Sequence, residues 1–188
     1  MVKKYIRIVA GEYRRTPIEV PQQTGLRPTP DRVRETLFNW LAHLWDSEFN
    51  DKHVLDLFAG SGALGFEAAS RGVAQVQMVE SSPVAIAALH RLRDKLRAHH
   101  VRIQGGLAQT ALAQMPPKQY DLIMLDPPFA EEWFPDLLSK VWRLLKDDGL
   151  VYVEAARQVP ISDNYVALRQ GRAGAVHYQL LQRTALQI

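Results

Sequence analysis

The chain has 188 residues, of which 47% are hydrophobic and 23% charged, values of a single folded domain that exclude a disordered or low-complexity protein. It contains no cysteine, which excludes disulfide frameworks, thiolate metal sites, iron–sulfur clusters and a cysteine nucleophile. The net charge of +3 is uneven: residues 1–34 hold eight basic against three acidic side chains, so +5 lies there and −2 on the rest. A basic amino-terminal arm on a near-neutral body points to a polyanionic partner, nucleic acid first. Lys3, Lys4, Arg7, Arg14, Arg15 and Arg27 are the side chains expected to meet it.

In chain order, Tyr5–Val9 and Pro17–Val20 alternate apolar with charged residues and read as a half-exposed hairpin. The arm precedes everything that follows and is expected to be dispensable for the core. A loop with Pro28 and Pro30 comes next, and Asp31 stands where a helix N-cap belongs, before Val33, Leu37, Phe38 and Leu41 at helical spacing. From residue 53 strands alternate with helices. Strands are expected at Val54–Phe58, Val76–Glu80, Val101–Ile103, Tyr120–Leu125 and Leu150–Glu154. Helices are expected over Ala63–Arg71, Pro83 to about Ala98, 107–114 and Phe134–Leu145. Two more strands are expected near 164–169 and 175–183. Strands separated by helices of this length imply an α/β fold with a mostly parallel sheet wound on both faces.

Two motifs carry chemistry. Residues 56–65 read Asp-Leu-Phe-Ala-Gly-Ser-Gly-Ala-Leu-Gly, a G-x-G-x-x-G between a strand and a helix, where missing β-carbons and free helix amides let a ligand lie against the backbone. Gly60, Gly62 and Gly65 are the expected contacts, with Phe58 beside them. Glu80, at the end of the next strand, can accept both hydroxyls of a ribose. Glycines and Glu80 alone fit NAD as well as any other adenosine cofactor. Asp56 separates the choices, because a carboxylate at the first strand's tip repels a pyrophosphate and attracts the ammonium of a methionine moiety. S-adenosylmethionine (SAM) is therefore the expected cofactor.

The second motif is Asp126-Pro127-Pro128-Phe129 after the fourth of these strands. The amine of a nucleobase is a weak nucleophile, its lone pair being delocalised into the ring. The Asp126 carboxylate and the Pro127 carbonyl can accept its two protons and aim the lone pair at an electrophilic methyl. Pro127 and Pro128 stiffen the loop and offer no competing amide, and Phe129 gives a flipped base a face to stack on. The structural alternative for this motif alone is a Pro-rich strand-to-helix turn with a capping aspartate and a core phenylalanine, and for Asp56 a helix-capping or loop carboxylate.

Ile6–Arg15, Gly25–Leu41, Leu57–Gly65 and Asp126–Phe129 together resemble the bacterial 16S ribosomal RNA guanine-N2 methyltransferase family (RsmD-like). The resemblance implies a class I SAM-dependent methyltransferase, Rossmann-like, with a seven-stranded mostly parallel sheet, helices on both faces and a small N-terminal β-hairpin. Residues 1–30 would be the basic hairpin and loop, and 31–188 the methyltransferase domain. It also implies methyl transfer to the exocyclic N2 of one guanine in 16S rRNA, within a partly assembled 30S subunit. Carried over, Asp126, Pro127 and Phe129 hold the guanine, Asp56, Gly60, Gly62 and Glu80 hold SAM, and Thr29 lies in a segment closing over the cofactor. Related enzymes place Asp or Asn after the third core strand to bind the adenine amine. Here Gln104–Ala108 lacks one, so adenine contact is expected near Leu107.

A DNA adenine or cytosine amino-methyltransferase shares the acceptor geometry but generally adds a target-recognition domain. An NAD-dependent oxidoreductase has no use for Asp56 or the D-P-P-F loop. The six histidines lack metal-ligand spacing, and no apolar run reaches about 18 residues. A monomeric cytoplasmic protein without metal or membrane partner is expected.

Overall fold

A computed structural model describes residues 4–21, 29–128 and 134–184. Two strands, β1 (Lys4–Arg7) and β2 (Pro17–Val20), pair antiparallel with Ile6 opposite Ile18. Helix α1 (Asp31–Leu44) leads to β3 (His53–Asp56), α2 (Ala63–Ser70), β4 (Gln75–Glu80), α3 (Pro83–Leu96), β5 (Val101–Gly105) and α4 (Ala108–Gln114). Strand β6 (Tyr120–Leu125), α5 (Phe134–Trp142), β7 (Leu145–Ala155), β8 (Tyr165–Ala173) and β9 (Val176–Arg183) complete the chain. The seven-stranded sheet runs β5-β4-β3-β6-β7-β9-β8, with its first five strands parallel and β9 antiparallel to both neighbours. Among the described residues no helix is long and apolar enough to cross a membrane.

Successive strand residues serve opposite cores because side chains alternate across a sheet. Val54, Val76, Met78, Leu122, Met124 and Tyr152 face α1, α2 and α3, while Leu55, Val79, Ile123, Leu125 and Val153 face α4 and α5. Every residue of α2 is buried, the polar Glu67 and Ser70 included.

The hairpin is part of this packing, against the expectation that the arm is dispensable for the core. Ile8, Tyr13 and Ile18 belong to the cluster that includes α1 and α2. The amides of Val9 and Ala10 donate to the fully buried Glu67 carboxylate at 2.7 and 3.1 Å, and Tyr13 N donates to Ser70 Oγ at 2.9 Å. Gly11, at φ +82°, lies so close that a β-carbon would fall 1.8 Å from the Ser70 carbonyl oxygen. Charge is confined to the outside, where Lys4, Arg7, Arg14 and Arg15 are exposed.

Several boundaries differ from expectation, among them the end of the first core strand, which stops at Asp56 rather than Phe58, and the start of β7, at Leu145 rather than Leu150. Asp31 is not the cap of α1 but its first residue: Pro30 takes the cap position, its carbonyl accepts from Val33 and Arg34, and Asp31 instead pairs with Arg34. There its charge faces the positive end of the helix dipole. Helix α3 stops at Leu96 because Arg97 turns left-handed at φ 53°. Helix α5 stops at Trp142, short of Leu145, because Leu145 already pairs with Tyr120 in the sheet.

Candidate active site

In an open α/β sheet, ligands bind beyond the carboxyl ends of the strands where strand order reverses. Here that point lies between β3 and β6, which start the two halves β3-β4-β5 and β6-β7. Asp56 ends β3 and Asp126 follows β6, so the two motifs meet at this crevice.

The glycine turn is built as expected. Gly60 and Gly62 have φ of 52° and 79°, and a β-carbon at Gly62 would meet the Leu89 and Phe66 side chains at 2.5 and 2.7 Å. Asp56, 2% exposed, accepts from Gly65 N at 3.0 Å and so holds the first turn of α2 from beneath. Burial pushes its carboxyl up to about 7; the Gly65 amide opposes this and the Glu80 charge adds to it. Glu80 ties three segments together: one oxygen accepts from Gly60 N at 2.7 Å, the other from Ser81 N and Ser82 N at 2.9 and 2.7 Å. Phe58 is half-buried, packed against the cluster that holds Leu55, Leu57 and Val79.

At the neighbouring rim, Gly106 N donates to the Glu80 carbonyl at 2.9 Å, bringing the end of β5 against β4. Leu107 follows at 61% exposure, an apolar side chain facing solvent beside Glu80. That placement suits one face of an adenine ring.

Asp126 is half-buried, Pro127 buried and Pro128 exposed. Phe129, Lys3 and Arg27 lie outside the described residues. The protein around Asp126 raises its carboxyl well above the ordinary range, and the nearby Glu154 and Asp56 charges raise it further. Leu125 pairs with Val153 across β6 and β7, so Asp126 and Glu154 are the next residues along adjacent parallel strands.

Glu154 is the residue that sequence reasoning missed. It is 4% exposed and accepts at one oxygen from Thr29 Oγ1 at 2.8 Å and Tyr152 Oη at 2.9 Å. Burial raises its carboxyl, while those two hydroxyls and the Arg34 charge pull it back. Its signal was a lone acid closing the apolar run Leu150-Val151-Tyr152-Val153. Thr29, expected over the cofactor, is thereby fixed to β7 from the segment before α1. Arg34, fully buried, donates to the Arg7 carbonyl at 2.7 Å, and its Nε and Nη1 have no partner among the described residues.

Three carboxylates, Asp56, Asp126 and Glu154, thus lie at the ends of three neighbouring strands, where the Glu154 charge raises the other two and the Asp56 charge raises Asp126. Three carboxylates facing the single buried Arg34 charge leave a net negative cluster that attracts a cationic ligand. Together with the glycine turn, the Glu80 carboxylate and the exposed Leu107, this fits SAM, which combines a sulfonium and an ammonium with a ribose and an adenine.

A family model described as "Conserved hypothetical protein 95" matches residues 6–182. Ribosomal RNA small subunit methyltransferase D of Escherichia coli K12 is 39% identical over 189 residues, covering 96% of this chain and 91% of the relative. The chain belongs to this methyltransferase D family. Its Haemophilus influenzae member is 37% identical over 191 residues, with 96% of this chain and 95% of that protein covered. The solved structure described as "Putative methyltransferase yhhF from Escherichia coli" superposes with a TM-score of 0.85 at 36% identity, covering 97% of this chain and 99% of that one. That superposition spans nearly the whole chain, so the resemblance in the four sequence stretches extends to the fold.

Proposed function

We propose that this protein transfers a methyl group from SAM to the exocyclic N2 of one guanine in 16S rRNA, acting as a cytoplasmic monomer on a partly assembled 30S subunit. The observation that carries the reading is the meeting of Asp126-Pro127 with Asp56 and the glycine turn at one crevice. The names of the methyltransferase D relatives supply the class of RNA.

SAM supplies an activated methyl when bound. Asp56 and Glu80 orient its ammonium and ribose, and Gly60 and Gly62 leave room for it along the backbone. Asp126 and the Pro127 carbonyl accept the two N2 protons of guanine and direct the nitrogen lone pair toward the methyl. The raised carboxyl of Asp126 suits a group that takes up a proton as the amine becomes cationic. Lys4, Arg7, Arg14 and Arg15, with Lys3 and Arg27, would meet RNA phosphates.

Purified protein mixed with methyl-labelled SAM and either 30S particles, free 16S rRNA or duplex DNA tests this. Label should enter the RNA, in guanosine carrying the methyl on N2. Label in DNA adenine or cytosine would instead establish the amino-methyltransferase alternative.

A further inference from the structure

Glu154 lies outside both sequence motifs, yet it stands beside the acceptor carboxylate. Beyond the paired Leu125 and Val153, Asp126 and Glu154 occupy matching positions on adjacent parallel strands, about 4.8 Å apart. Leu125 and Val153 face α4 and α5, so alternation turns Asp126 and Glu154 to the other side of the sheet, that of Met124 and Tyr152. The electrostatics agree with this placement. After burial itself, the Glu154 charge is the strongest influence raising the Asp126 carboxyl.

Only half of the Glu154 carboxylate is used. Thr29 Oγ1 and Tyr152 Oη both donate to Oε1, at 2.8 and 2.9 Å, and no described residue donates to Oε2. The two hydroxyls come from different elements, the segment before α1 and β7, so they hold the side chain in place from two directions. At 4% exposure, Oε2 is a buried acceptor whose lone pairs await a donor. Burial raises the Glu154 carboxyl, but the two hydroxyls and the Arg34 charge favour its ionised form, which accepts and does not donate.

Nucleobase amines differ in what stands next to them. In guanine the ring nitrogen beside the N2 amine, N1, carries a hydrogen. In adenine and cytosine the ring nitrogen beside the amine carries a lone pair. Asp126 and the Pro127 carbonyl could accept from any of the three amines. A second carboxylate alongside accepts from guanine and repels the lone pair of the other two. We infer that Glu154 Oε2 accepts the N1–H of the target guanine, which makes Glu154 the residue that selects guanine over adenine and cytosine. The assignment rests on the reading of this protein as a guanine-N2 methyltransferase.

2-Aminopurine tests it, because this base keeps the N2 amine but has a lone pair at N1 and lacks O6. The parent and Glu154→Gln are compared at saturating SAM on 16S rRNA with guanine or 2-aminopurine at the position the parent labels. The parent should prefer guanine in kcat/KM by about tenfold to a hundredfold. In Glu154→Gln the amide keeps an oxygen for Thr29 and Tyr152 and can turn its NH2 to the N1 lone pair. The preference should therefore fall by about tenfold or more, through loss on guanine and gain on 2-aminopurine. Both proteins lose O6 alike, so the change in preference reads N1 alone. Equal losses on the two bases, with the preference unchanged, would reduce Glu154 to a structural support and overturn the assignment. If Glu154→Gln does not fold, the parent decides: equal kcat/KM on the two bases overturns the contact, and rejection of 2-aminopurine upholds it. Label in adenine or cytosine would strike the reading of the reaction and this assignment together. If the parent labels no RNA, the reading of the reaction falls by itself. Competition between guanine- and 2-aminopurine-containing single strands for the S-adenosylhomocysteine complex then decides the contact, and absence of any preference overturns it.

Discussion

Replacing Asp56 with Asn keeps an oxygen for the Gly65 amide but removes a buried charge, and the consequence depends on pH. In the folded protein the Asp56 carboxyl titrates at about 7 rather than its ordinary 3.8. Between these values the folded state binds the proton and the unfolded state does not, so stability falls as pH rises. At about 1.4 kcal/mol for each factor of ten, the full displacement corresponds to at most about 4 kcal/mol. From about pH 4 to about pH 8.5 the parent should therefore lose up to about 4 kcal/mol relative to Asp56→Asn, nearly all of it before about pH 7.5. Asp126 and Glu154 are displaced in the same direction and slope the curves of both proteins further, Asp126 less so in the variant, which lacks the Asp56 charge that helps raise it. Urea unfolding at several pH values reads the stability difference directly. SAM should show the mirror image. Its cationic groups favour the ionised carboxylate, so parental affinity should weaken as pH falls through about 7, and the Asn variant should bind weakly with a flatter profile. If the two proteins lose stability in parallel across the whole range, Asp56 does not carry the buried proton and the account of the carboxylate cluster is wrong.

Asp126→Ala should lower kcat by about 10²–10³ while calorimetry finds SAM binding retained; near-normal turnover at saturating RNA would remove Asp126 from the acceptor site. Glu80→Gln should weaken SAM and S-adenosylhomocysteine together by roughly ten- to a hundredfold, since both carry the ribose, and unchanged calorimetric affinity for both would dismiss the ribose contact. In the hairpin, neutralising Lys4, Arg7, Arg14 and Arg15 should leave thermal unfolding unaltered and reduce both RNA affinity and its salt slope, by about 0.7–0.9 per lost phosphate contact. Ile8→Ala should do the reverse, costing about 2–5 kcal/mol in denaturant unfolding, because Ile8 is 1% exposed in the main core. An unchanged salt slope in the first variant, or parental stability in the second, would contradict this division of labour.

The parallel sheet was legible because its strands are short apolar runs bounded by glycines, prolines and helices with amphipathic spacing. The glycine turn, Glu80 and Asp126 were legible because local spacing places them at strand ends. What escaped depends on contacts between distant residues. Glu67 reads as an ordinary surface acid of a helix, yet it is buried because the amides of Val9 and Ala10, more than fifty positions earlier, converge on it. Glu154 reads as the polar end of a strand, and only the arrival of Thr29 makes it part of the site. The early start of β7 was hidden by Asp147-Asp148-Gly149, which has the composition of a turn. There a register shift opposite Tyr120 and Leu122 absorbs the irregularity, and the Arg183 guanidinium binds the Leu145 carbonyl at 2.6 Å.

Helix α2 has eight residues and no face left to water. A helix this short is unstable alone in water, where at least about 12 residues are needed even for good helix formers. It can persist only once the sheet covers one side and the hairpin closes over its last turn. During synthesis the hairpin leaves the ribosome before α2, because Glu67 and Ser70, the groups that seat it, follow some sixty residues later. The earlier-made hairpin is therefore locked in place only after α2 has been made. The loop-closure entropy spanning residues 9 to 70 has to be overcome before that lock is gained, which ties the appearance of an intact cofactor turn at one end of α2 to the arrival of the basic hairpin at the other.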